Sequence, residues 1–329
     1  MSSKNYSRRQ FLSLGLGLAG GAALFGLAGC QEGPSDAAAT SAAASTAAAS
    51  SAGVDIDKDA FNELIASVEP AGDDVISANP WAKGIKDAGT FRLGATRTSA
   101  IFSQLDEQDG KVYGFDAGLY LGLIRYILGD ETKYDYTQLT SDTRESVLQN
   151  DTVDAVFASY TITDKRKQVV SFAGPYMTTQ YAALVLADNT DINSVDDLAG
   201  KKVAVQSGST GPDVVAQYAP QAEVQEFSKD DECRAALEQG RVDAYVVDNT
   251  LQMGNVVKNP GKYRIAGDPF GPEEHLGIGV KLDNTEAVDF INDFLKKFED
   301  DGNWKKLYKI CLADRCGVET IPEPPAIGA

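Results

Sequence analysis

Apolar positions along this chain change period in a regular order. Phe61, Leu64, Ile65 and Val68 recur at helical spacing, which predicts a short helix followed by an exposed connection. Residues 90–95, TFRLGA, read as the strand that starts the main fold. Residues 114–129 place Leu119, Leu123, Ile124 and Ile127 on one helical face before a glycine stop at Gly129. Strand-like YDYTQL, helical TRESVLQN and strand-like DAVFAS follow, and this β-α-β-α-β order predicts parallel strands covered by helices.

A second unit begins at Tyr181. Its predicted strands are residues 182–186, 202–206, 224–227 and 244–247, interleaved with helices at 212–218 and 230–239. The chain then offers a strand at 277–280 and helices at 285–301 and 303–310, too few elements for a third core. They are expected to return to the first unit. The predicted organisation is a lobe at 90–180 with 274–318, a second lobe at 181–273, a helical extension at 54–89 and a tail at 319–329. Two crossings, near residues 176–180 and 273–276, join the lobes.

The N-terminus bears on location. SRRQFL at residues 7–12 precedes an apolar, Gly-rich run at 14–27 that is too short to span a bilayer. The paired arginines read as a twin-arginine export signal. The run ends in LAGC, residues 27–30, which resembles the lipobox at which bacterial lipoproteins are cleaved and acylated; the other reading of Cys30 is a buried thiol ending a short core helix. Residues 1–29 are then a removable signal, Cys30 carries the lipid, and residues 30–53, almost all Ala, Ser, Thr and Gly, form a flexible tether. The folded part is expected at the outer face of the cytoplasmic membrane.

The formal charge is −18; without Lys4, Arg8 and Arg9 of the signal, 27 basic residues face 48 acidic ones, a charge of −21. Such acidity argues against nucleic acid and anionic membrane surfaces as partners. Cys311 and Cys316 lie five apart near the C-terminus, and a disulfide between them is expected in an oxidising compartment. Cys233, at helical spacing with Ala236 and Leu237, reads as a small core residue. With one histidine, His275, neither a metal site nor a cofactor is expected.

Four stretches, GFDAGL, DAVFASYTITDKRKQVVSFAGPY, DDLAGKKVAVQSGST and GRVDAYVVDN, stand in the order found in the family 3 solute-binding proteins of ABC importers, the polar amino-acid binders, and the chain resembles that family over about residues 90–312. The resemblance implies an α/β, two-lobed periplasmic-binding-protein-like fold of type II. It also implies a hinged, non-enzymatic monomer that closes on an amino acid and delivers it to a membrane permease. Both charges of a zwitterion must be met once it leaves water. Arg166 suits a two-pronged bond to the α-carboxylate, and by resemblance it is the family's carboxylate arginine, with Ser159 and Thr161 lining the same pocket. TDKRK also reads as a solvated helix start capped by Thr163, and the two readings coexist if Arg166 alone turns inward. Ser209 and Thr210, before the helix near Pro212, are implied to reach the carboxylate from the other lobe; as a bare turn they are an ordinary helix cap. Asp248 resembles the family's acceptor for the α-ammonium, with a helix cap as the plainer alternative.

For the ligand side chain, Arg97 together with Ser141 and Arg144, in a pattern similar to the TS..R segment of glutamate and aspartate binders, suits a second carboxylate. The plainer readings are a surface ion pair of Arg144 with Glu145 or Asp142 and a solvated Arg97. The expected ligand is therefore glutamate or aspartate, whose difference of one methylene is worth only about 1–3 kcal/mol; glutamine, arginine and cystine are the alternatives. The family often places an aromatic residue after the first strand, where this chain has Ser99 and Ala100. A dehydratase-like enzyme on the same scaffold would need a positioned acid or base, and a sensor would act through a separate partner.

Overall fold

The structure, a computed structural model, describes residues 54–328. The export signal, the lipidation site at Cys30 and the tether, all expected within residues 1–53, lie outside the described residues. Nine strands form one continuous sheet. On one side Tyr134–Gln138, Phe91–Ala95 and Ala155–Thr161 run parallel. On the other Ala244–Asp248, Lys202–Gln206 and Glu223–Phe227 do the same. Val203, Ala204 and Val205, like Ala244 to Val247, are buried, as continuous apolar runs are when helices cover both faces.

Between these halves lie two long antiparallel strands, Val170–Leu186 and Phe270–Lys281, which pair Phe270 with Tyr181, Glu274 with Thr179 and His275 with Thr178. Each reaches into both lobes. Their apolar ends, Val-Val-Ser-Phe at residues 169–172 and the runs near 182–186 and 277–280, carry the strand pattern in the sequence. The middle of the pair is polar and its register slips between Phe270 and Glu274 and again between Leu276 and Ile278, so the period of two is lost where the lobes join.

The segment before the first strand differs from the expected single helix and exposed connection. Three helices, Lys58–Ala66, Asp73–Ala78 and Pro80–Ala88, bury Phe61, Leu64, Ile65, Ile76, Ala82 and Ile85 in the core of the first lobe. The last of them carries its own signals: Asn79 caps it by accepting the Ala82 N–H at 2.9 Å, Pro80 opens it, and Gly89 ends it at φ 70°. The ring of Phe61 meets Tyr113 edge-on at 5.2 Å, and Trp81 meets Phe91 at 6.1 Å. A small sheet of Thr98–Ser99, Ser103–Leu105 and Val112–Tyr113 fills the stretch between the first strand and the helix Phe115–Leu128.

The closing helices Thr285–Asp300 and Asn303–Tyr308 pack on the same lobe. Phe294 and Leu307 press against Phe115–Leu128 where it presents Gly122 and Gly118; a Cβ at Gly118 would stand 2.4 Å from Leu307. The disulfide expected between Cys311 and Cys316 is not formed: both thiols are free. The residues between them hold helical geometry, a π-helical turn Lys309–Ala313 followed by Asp314–Cys316, in place of the small closed loop a bridge would make. Cys233 is buried in the core, and burial pushes its thiol well above the usual range. Among the described residues no helix is long and apolar enough to cross a membrane, and no cluster of metal-binding side chains occurs.

If the N-terminal helices are part of the first lobe's core, Phe61→Ala costs about 3–5 kcal/mol of unfolding free energy. Urea denaturation of the variant and wild type measures this, and a loss below about 1 kcal/mol would show the helices to be a separable appendage.

Candidate ligand-binding site

In open α/β sheets the crevice beyond the carboxyl ends of parallel strands collects loop residues and helix starts. Both lobes of this protein turn those ends toward each other. Ser159 and Thr161 end Ala155–Thr161, Gln206 ends Lys202–Gln206, and Asp248 ends Ala244–Asp248. Together with Ser141, Arg144, Arg166, Ser209 and Thr210 they line one cavity between the lobes, so eight of the nine residues expected from the sequence to bind ligand come together.

Arg97 is the ninth, and it is not among the residues lining the cavity. Its guanidinium lies 3.6 Å from the centre of the Tyr136 ring, a cation–π contact at the outer strand of the first lobe. The convergence of Arg97 with Arg144 expected from the sequence does not occur; the arginine that Arg144 meets is Arg166. Both lie over the ring of Tyr160, at 4.3 and 4.9 Å, and both are nearly inaccessible to water.

Arg166 gains its inward turn from a one-turn helix, Asp164–Lys167, that Thr163 caps by accepting the Arg166 N–H at 3.2 Å. Asp164, Lys165 and Lys167 face solvent on the same turn while Arg166 is buried. Its guanidinium donates to the carbonyls of Thr161 at 2.7 Å and Gly208 at 3.0 Å. Arg144 donates to the carbonyls of Ser141, Ala158 and again Gly208, at 3.1, 3.0 and 3.3 Å. One carbonyl of the second lobe thus receives both cations of the first. Burial, with repulsion from Arg166, pulls the Arg144 pKa down to about 9.

Two carboxylates line the same cavity without pairing with these cations; the carboxylate within ion-pair distance is Glu145, 3.9 Å from the Arg166 guanidinium. Asp248 caps Asn249–Lys258 by accepting the Leu251 N–H at 2.9 Å, so the cap expected as the plainer reading and a place on the cavity wall coincide. Glu274 comes from the hinge strand Phe270–Lys281, and the sequence reading passed over it. It accepts the hydroxyls of Thr161 at 3.0 Å and Thr210 at 3.2 Å, one from each lobe, and that of Tyr181. Ser209 is spent on its own turn, donating to the Gln206 carbonyl and accepting from the Gly211 N–H. Ser141 donates across the cleft to Gln206 at 3.1 Å. Sequence reading also missed Tyr181, Gln206, Val247 and Leu251; Tyr181, Gln206 and Val247 stand at predicted strand ends, the one signal available, whereas Glu274 lies three residues before one.

The backbone at Ser159 is held at φ 41°, a left-handed conformation that side chains other than glycine rarely adopt. Asp116, buried at the start of Phe115–Leu128, accepts the Ser159 N–H at 2.9 Å and the Tyr176 hydroxyl at 2.7 Å. The aspartate of GFDAGL therefore shapes the cavity floor without touching the cavity.

Residues 91–312 match the bacterial extracellular solute-binding proteins, family 3. The chain belongs to that family. It is 35% identical over 226 residues to the ABC transporter glutamine-binding protein GlnH of Bacillus subtilis, covering 68% of this chain and 82% of that one. It is 32% identical over 204 residues to the glutamate-binding protein GluB of Corynebacterium efficiens, covering 58% and 69% respectively. The crystal structure of the solute receptor for L-cysteine of Neisseria gonorrhoeae superposes with a TM-score of 0.69 at 26% identity, covering 74% of this chain and 99% of that one. The two-lobed fold is the type II periplasmic-binding-protein fold.

In this family 3 solute-binding protein, burial pushes the pKa of Asp248 up to about 7, with Glu274 and Asp116 adding repulsion. A bound ammonium group beside it would favour the ionised form, so binding expels a proton wherever Asp248 is protonated in the free protein. Affinity for an ammonium-bearing ligand therefore falls as pH drops through about 7, by up to tenfold per unit. Titration calorimetry between pH 5 and 8 in buffers of different ionisation enthalpy measures both the affinity and the released proton; a flat profile over that range would remove Asp248 from contact with the ammonium.

Proposed function

We propose that this protein is the exported, lipid-anchored binding component of an ABC importer, capturing a polar amino acid by hinge closure. The observation that carries the reading is a cleft that holds Arg166 on one lobe and Asp248 on the other, both buried, as the two charges of an α-amino acid require. Family membership supports export and solute binding, and the relatives named for glutamine and glutamate support an amino-acid ligand. The twin-arginine signal and lipidation at Cys30 complete the reading, with residues 90–180 and 274–318 moving against 181–273.

Charge counting favours a ligand of zero net charge with a polar side chain, such as glutamine. The cavity carries Arg144 and Arg166 against Asp248 and Glu274, so it is already balanced, and Arg97 is not there to add a third cation. Glutamate or aspartate is the second reading, favoured by Arg144, which stands free of any close carboxylate in the cavity and could receive a side-chain carboxylate.

The space enclosed amounts to about 30 Å³, room for roughly two water molecules. An amino acid enters only if the lobes part, and it then bridges them, which is how a ligand shifts a hinge toward closure. Gly208 marks where they meet: its φ is 71°, and a Cβ there would stand 2.6 Å from the Asp142 Cα of the other lobe.

Arg166→Ala is expected to abolish amino-acid binding in calorimetric titration while leaving the thermal unfolding cooperative; retained affinity would remove Arg166 from the carboxylate site. Gly208→Ala is expected to weaken binding at least tenfold by holding the lobes apart. Small-angle scattering with saturating ligand tests the cause, since an undiminished compaction in the variant would show that closure does not depend on that approach.

A further inference from the structure

Glu274 stands apart from the other charged groups of the cavity. It is buried, at 9% exposure, and sits on the hinge strand and not on a loop of either lobe. Among the described residues its carboxylate is met by hydroxyls alone: Thr161 and Thr210 on Oε2, and Tyr181 shared between Oε2 at 3.1 Å and Oε1 at 3.2 Å. Hydroxyls solvate the charge but do not cancel it, and a buried carboxylate without a cation keeps its full preference for positive or N–H-bearing groups. Oε1, with one shared donor, retains acceptor capacity.

From this placement we propose that Glu274 determines the charge specificity of the cleft, accepting an N–H donor of the ligand, an amide or a cationic nitrogen, and repelling a side-chain carboxylate. The inference rests on the amino-acid-binding reading above and narrows it to ligands with a nitrogen-bearing side chain. The hydroxyls of Thr161 and Thr210 point the same way. Both are turned onto Glu274, so each lobe delivers a polar group to the same carboxylate, and closure and the position of this side chain are coupled. Glutamate would place its second carboxylate in a cavity that already contains Asp248 and Glu274, where three of the five Arg144 N–H donors already go to backbone carbonyls.

The test is calorimetric titration of the full-length chain, purified in detergent, with glutamine, arginine and glutamate, on wild type, Glu274→Gln and Glu274→Asp. Wild type is expected to bind glutamine or arginine at least tenfold more tightly than glutamate. Glu274→Gln, which keeps the shape and removes the charge, should reduce that ratio at least tenfold, whereas Glu274→Asp should preserve its direction. An unchanged ratio in Glu274→Gln overturns the proposal, as does wild type that prefers glutamate; in both cases amino-acid capture itself stands. Wild type that binds no amino acid overturns the broader reading instead, and this inference with it. Should Glu274→Gln not fold, the wild-type preference decides alone, at least tenfold for glutamine or arginine supporting the assignment and a smaller margin or a preference for glutamate overturning it.

Discussion

Two guanidinium groups from one lobe meet at a single carbonyl oxygen of the other, that of Gly208, and most of the site follows from how their charge is met. Arg144 and Arg166 repel one another over the ring of Tyr160, so neither would remain buried without full hydrogen bonding. Backbone carbonyls supply that bonding in each case, and bonds to a charged group contribute about 1.5–3 kcal/mol apiece. The acceptors are the Ser141 carbonyl in a turn and the Ala158 and Thr161 carbonyls on the strand Ala155–Thr161. The cations are therefore held by backbone carbonyls, with Glu145 3.9 Å from Arg166, while Asp248 and Glu274 line the same cavity from the second lobe and the hinge.

Support for this arrangement runs backward into the first lobe. Asp116 holds Ser159 in its left-handed conformation and receives the Tyr176 hydroxyl, and the Trp304 indole N–H donates to the Tyr176 carbonyl at 2.8 Å. A helix near the C-terminus is thereby tied through a hinge strand to the floor of the cleft. Burial pushes the Asp116 pKa up to about 6, the cost of placing a carboxylate where its two hydrogen bonds are needed. The hinge itself is a pair of strands whose register slips on both sides of the crossing, which leaves fewer ladder bonds to oppose bending at that point.

Much of the fold and most of the site were legible in order and period. Strands at residues 91–95 and 202–206 and the helix ending at Gly129 lie where their patterns put them, because each buries an apolar face that the sequence must encode locally. Polar residues immediately after such strands were candidates for the same reason: they sit where side chains leave the core. The helices at 73–88 were missed although Asn79, Pro80 and Gly89 mark one of them, since their short apolar stripes become core only against Phe91 and Phe290.

What the sequence determined by itself was the order of the main strands and helices, the two-lobed class and the identity of the groups at the strand ends, because period, turn chemistry and the Arg166 turn are local properties. Tertiary structure alone decided which of those groups share a cavity. Arg97 lies just past the strand Phe91–Ala95, as Ser159 lies near the end of Ala155–Thr161, yet it goes to Tyr136, while Glu274 and Tyr181, on the long hinge strands, enter the cleft. Side-chain direction at a bulged, polar strand depends on register with its partner, and the free thiols of Cys311 and Cys316 depend on the helical path between them. Neither register nor path is written in spacing, since both are set by what packs from distant parts of the chain.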